Sequence, residues 1–241
     1  MDPLTRLVAD RYARRTIQFD HRAMESKGMD LAEEAIQKIN KALWPNKSLR
    51  EQVSPREVFA STDVDLKDVR GKDKSLRVVV RGKSGSDRSP TAGADFLGIS
   101  PRSGIIAMYL NSKWTPEALE SEKYKVMTNF SGFLVHEVTH ALDVLNEVAH
   151  YTNPETDLAA YYNQPSEFRA HSKQIVVEAM RALPRLKRKY PKGFPSLTQV
   201  VEELLTYSNT FLEVEKYFNR SNQNRLRQML VREIQDSGIQ G

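Results

Sequence analysis

Residues 128–150 read Thr-Asn-Phe-Ser-Gly-Phe-Leu-Val-His-Glu-Val-Thr-His-Ala-Leu-Asp-Val-Leu-Asn-Glu-Val-Ala-His. The spacing predicts one long helix from about Thr128 to His150. Phe130, Leu134, Ala141, Leu145 and Val148 gather on one side, and His136, His140, Asp143, Glu147 and His150 on the other. A helix patterned this way buries its apolar back and turns its histidines toward something polar.

Within that helix, His136-Glu137-Val138-Thr139-His140 is an H-E-x-x-H motif. Residues four apart on a helix differ by about 40° around the axis, so His136 and His140 can aim ring nitrogens at one ion. Glu137 stands about 100° from His136, placed to act on a metal-activated water without being a ligand. The plainer alternative is an amphipathic helix with two ordinary histidines. The chain has no cysteine, which excludes disulfides, thiolate metal sites and cysteine nucleophiles, so any metal must rely on His, Asp and Glu.

A catalytic zinc site needs three protein ligands and an open position. The metzincin pattern would require Gly at 143 and His at 146, where this chain has Asp143 and Asn146. The leading third ligand is Glu167, in the run Tyr161-Tyr162-Asn163-Gln164-Pro165-Ser166-Glu167-Phe168-Arg169-Ala170-His171. Pro165 suits a helix start and puts Glu167 in the first turn of a helix able to return across the first. Asp157 is an alternative ligand. His171, one turn after Glu167, is another, or a partner behind it. Tyr161, Tyr162, Arg169 and His150 are candidate donors to a developing oxyanion, and the sequence does not choose among them.

Working outward, residues 4–43 read as two helices broken near Gly28, carrying Leu4, Leu7, Val8 and Tyr12, then Leu31, Ala35, Ile36, Ile39 and Leu43. Trp44 to Lys74 is mixed and charged, with room for one short helix. Leu76 to Val80 has strand character, residues 83–95 are a polar loop, and Phe96–Ile99 and Ile105–Leu110 flank a turn at 101–104 as a hairpin. From Pro116 on the pattern is helical. The fold expected is α+β, predominantly helical, with a small sheet before the active-site helix. It forms a single domain over 1–241 with helical extensions at about 1–60 and 195–241.

The 241 residues carry 36 basic and 31 acidic side chains, a net charge of +5 and a pI near 9.3. The one dense basic patch, Arg185, Lys187, Arg188, Lys189 and Lys192, suits a solvated helix end, where cations are favoured. It lacks the aromatic interleaving of a nucleic-acid module, so a nucleic-acid partner is not expected. No apolar run approaches the roughly 20 residues of a membrane helix, and the N-terminus lacks a secretory apolar region. A cytoplasmic protein with no membrane partner is the expectation. The oligomeric state is open.

H-E-x-x-H, followed after some tens of residues by a helix bearing Glu behind Pro and aromatics, resembles the zincin superfamily of metallopeptidases in its gluzincin arrangement, over residues 104–175. The resemblance implies a zincin-like fold and a zinc metalloendopeptidase, a hydrolase acting on a polypeptide substrate. One Zn²⁺ per chain would sit on His136, His140 and Glu167, with Glu137 as general base. It also implies that an edge strand before the active-site helix binds extended substrate, the place taken here by Ile105–Leu110. Residues 1–100 and 195–241 match no zincin subfamily. The competing function is a helical binding or structural protein with a non-catalytic metal site.

Overall fold

The computed structural model describes residues 21–237, apart from 56, 68–72, 87–88, 101–102, 146–156, 192 and 195. Helix α1 (His21–Leu43) runs without interruption through Gly28, where the sequence predicts a break. A glycine inside a helix costs only about 1 kcal/mol relative to alanine. The packing of Ala32, Ala35, Ile39 and Leu43, all buried, outweighs it. Leu4, Leu7, Val8 and Tyr12 lie outside the described residues. The short helix expected after Trp44 is α2 (Lys47–Glu51), capped by Asn46, whose side chain accepts from the Leu49 N–H.

Four strands follow: β1 (Val58–Lys67), β2 (Asp73–Lys83), β3 (Thr91–Ser100) and β4 (Ser103–Asn111). Their order across the sheet is β1-β2-β4-β3, with β1/β2 and β3/β4 antiparallel and β2/β4 parallel. The expected hairpin is the β3/β4 pair, in which Phe96 faces Ile106 and Leu97 faces Ile105. Strand β1 goes beyond the sequence reading: exposed Asp63 and Asp65 alternate along the chain with Val64 and Leu66 as a half-buried strand requires, although Asp is a poor strand former. Strand β3 also begins earlier than expected, at Thr91, so the polar stretch 83–95 is only partly loop. Wholly buried Asn111 knits that loop: its amide donates to Ser86 O (2.6 Å) and Ser89 O (2.7 Å) and accepts from Gly85 N–H (3.1 Å).

One expectation fails. Ile105–Leu110 lies in β4, which is hydrogen-bonded on both sides, so it is not the edge strand. The edge beside the histidine-bearing helix belongs to β3. The sequence misleads because the more apolar partner of a hairpin is the one buried on both flanks, while the edge strand carries the polar residues.

Beyond the sheet come α3 (Pro116–Ser121), α4 (Lys123–Leu145), α5 (Leu158–Tyr162) and α6 (Pro165–Lys189). These lead to α7 (Leu197–Leu205), α8 (Asn209–Val214), a 3-10 turn (Glu215–Tyr217) and α9 (Arg220–Asp236). Two apolar clusters result. The first joins α1, one face of the sheet (Leu76, Val78, Val80, Ile106, Met108, Leu110) and the back of α4 (Val126, Phe130, Leu134, Ala141). The second joins α6 (Ile175, Ala179, Leu186) to α7, α8 and α9 through Leu204, Phe211, Leu226 and Leu230. Helices α4 and α6 pack on each other and connect the two. The basic patch ends α6, where Lys189 pairs with Glu203 and Arg185 lies over Tyr207; Lys192 is outside the described residues. No described helix is long and apolar enough to cross a membrane.

Candidate metal centre

Helix α4 places His136 and His140 one turn apart on the side facing α6. Pro165 opens α6, as expected, and sets Glu167 in its first turn and His171 one turn later. The two helices approach closely at Gly132, one turn before His136: a Cβ there would stand 2.9 Å from Glu178 Oε1 and 3.3 Å from Gln174 Cγ. That contact brings the histidines against Glu167.

His136 Nε2 lies 3.0 Å from His140 Nε2, and His140 Nε2 lies 3.5 Å from Glu167 Oε1. Ligands about 2.1 Å from a tetrahedral ion stand roughly 3.4 Å apart, so the separations suit a shared cation. The residues are nearly removed from solvent, with exposures of 9% for His136, 7% for His140 and 5% for Glu167. His136 Nδ1 and Glu167 Oε2 are buried without a hydrogen-bond partner. One ligand atom each from His136, Glu167 and His171 lies within 4.8 Å of the other two, a group able to hold a divalent cation, and His140 adjoins it through the 3.0 Å and 3.5 Å approaches to His136 and Glu167.

Electrostatics treat the two histidines differently, favouring the neutral, ligating form of His136 and, in the ion-free chain, a protonated His140 paired with Glu167. Burial above all, with His171 and His140 adding repulsion, holds His136 far below its ordinary value and therefore neutral, the form that ligates. Burial also opposes charge on His140, but the bond to Glu167 and its negative charge carry His140 above its usual value. Burial raises Glu167, and the His140 bond, with Tyr161 and His171 behind it, overcomes that and holds the carboxyl low.

Glu137 faces elsewhere. Burial first, then the charges of Asp95 and Glu167, push its carboxyl up to about 7 against the pull of His140 and of the nearby backbone N–H of Phe96 in β3. So α4 presents its histidines to α6 and its glutamate to the edge strand. Gly93, with φ at +95°, allows the irregularity in β3 between Thr91 and Ala94, just before this contact.

The other sequence candidates separate clearly. Asp157 is exposed and caps α5, accepting from Ala160 N–H at 3.0 Å, which removes it from the ligand set. Tyr161 is within hydrogen-bonding reach of Glu167. Tyr162 stacks on Tyr217 with centroids 5.2 Å apart. Arg169 pairs with buried Asp143, joining α6 to α4. His150, Glu147 and Val148 lie outside the described residues. Sequence reasoning missed the Asp143–Arg169 pair, Gly132 and the β3 contacts of Glu137; each joins residues far apart in the chain, so no local pattern signals them. No protein-family model, curated protein or solved structure matches the chain.

Proposed function

We propose that the protein is a zinc-dependent metallopeptidase of zincin-like fold. The observation that carries this reading is the division of labour on α4: His136 and His140 converge with Glu167 while Glu137, the next residue along, faces the edge strand. His136, His140 and Glu167 would hold the ion. A bound zinc ion polarises a carbonyl and makes water a stronger acid.

Glu137 supplies the proton chemistry. Burial pushes its carboxyl up to about 7 in the ion-free chain, and a bound cation would draw it down toward the carboxylate that takes a proton from water and returns it to a leaving amine. Tyr161, within hydrogen-bonding reach of Glu167, would help to orient it. The polypeptide substrate follows from β3: among the described residues its outer edge pairs with no strand, and an extended chain can add there by backbone hydrogen bonds. A chain seated on β3 would pass beside Glu137.

The second reading, a binding or structural protein with an inert metal site, is favoured by one observation. A further histidine, His171, lies beside the same donors, and four protein ligands would leave no open position. Incubating unfolded proteins with zinc-replete wild type or Glu137→Gln, and mapping new termini by mass spectrometry, separates the two. Cuts made by wild type alone support the peptidase. The same termini from both proteins, or none from either, would move the weight to the inert site.

A further inference from the structure

His136, Glu167 and His171 each place one ligand atom within 4.8 Å of the other two. His171 Nε2 is 3.8 Å from Glu167 Oε2, and its ring meets His136 edge-on with centroids 4.4 Å apart. The donors thus form two one-turn pairs on facing helices: His136 with His140, and Glu167 with His171. From this geometry we infer that His171 is a fourth, displaceable ligand that closes the metal site at rest. This rests on the metal centre proposed above and adds how that centre opens.

Displacement is written into how His171 is held. A ligating histidine usually fixes its ring by donating its other nitrogen to a carboxylate or carbonyl. His171 Nδ1 is buried with no partner, as is His136 Nδ1, so neither ring is bonded in place from behind, and distance and exposure separate the two. The 3.8 Å separation from Glu167 exceeds both the 3.5 Å from His140 to Glu167 and the 3.0 Å between His140 and His136. Its side chain is 14% exposed, against 9% for His140 and 7% for Glu167. The lateral support is aromatic: Tyr162 tilts over the His171 ring at 4.9 Å and is itself stacked on Tyr217. A ring held by packing alone, nearest to solvent, is the one that can leave, and the place it vacates is the open position a peptidase needs.

Cobalt(II) in place of zinc makes this visible, because its absorption reports coordination number and added ligands. The full-length protein is loaded with cobalt and titrated with azide, and metal affinity is measured by chelator competition for wild type and His171→Ala. Closure by His171 requires a wild-type spectrum that azide does not change. In His171→Ala, the affinity should fall by more than the roughly hundredfold typical of residues behind the ligands. The spectrum should then respond to azide, and added imidazole should restore the wild-type form. A wild-type spectrum that already shifts with azide, or a His171→Ala affinity within a hundredfold of wild type, overturns the inference while leaving the metal centre intact. Wild type that takes up neither cobalt nor zinc overturns the metal centre and this inference with it. The wild-type azide titration decides even if His171→Ala does not fold.

Discussion

Glu137 and Asp157 show how far a residue's role depends on its surroundings. Burial lifts the Glu137 carboxyl to about 7 from an ordinary 4.5, so the ion-free folded chain holds this proton more tightly than the unfolded chain does. Stability from this group is therefore present below about pH 4.5 and is lost as pH rises toward 7. Glu137→Gln removes that loss. In chelator, Glu137→Gln should gain on wild type as pH rises from 4.5 to 8, by about 3 kcal/mol at the upper end. Thermal melts across that range test it, and a difference independent of pH would contradict the burial argument. His171 runs the other way: burial holds it down to about 4, so its contribution is lost as pH falls from about 6.5 through 4. For the ligands, Glu167→Ala should lower zinc affinity by more than about a hundredfold. Asp157→Ala should leave zinc affinity alone and lose only a helix cap, about 1 kcal/mol. Chelator competition ranks the two, and a larger loss from Asp157→Ala would refute the assignment.

Helices α4 and α6 set the site, and their mutual approach is the element-scale feature most open to test. A Cβ at Gly132 would strike Glu178 Oε1, which cannot give way cheaply because Gln174, Ser208 and Thr210 all donate to the Glu178 carboxylate. Gly132→Ala should destabilise by about 1–3 kcal/mol despite alanine's better helix propensity, and weaken zinc binding as well. Denaturant melts with metal titration would check both. Arg169→Ala leaves Asp143 buried and unpaired, at a loss of roughly 3 kcal/mol, and the double variant with Asp143→Ala should lose less than the sum of the singles. Additive losses would mean the pair does not couple the helices. The motif on α4 and the proline-led start of α6 are legible in the sequence because both are local patterns. The edge strand is not: β4 is made central by pairing with β2, a contact no local pattern encodes. The break expected at Gly28 fails for a related reason, since packing by Ala32, Ala35 and Ile39 overrides local propensity.

Across the whole molecule, the proposed donors are divided between helices that belong to different apolar clusters, α4 to the sheet-bearing one and α6 to the C-terminal one. A bound ion would therefore tie the two together. Zinc at about a thousand times its Kd should stabilise the folded chain by about 4 kcal/mol, and a chelator should remove that gain. A melt indifferent to zinc would argue against the tie. Because the donors come from both clusters, metal binding has to be measured on the intact chain. The direct test is zinc content after reconstitution and desalting, for wild type, Glu137→Gln and His140→Ala. About one equivalent is expected in the first two and little in the third. Negligible zinc in all three, or undiminished zinc in His140→Ala, would contradict a metal centre built on His136, His140 and Glu167.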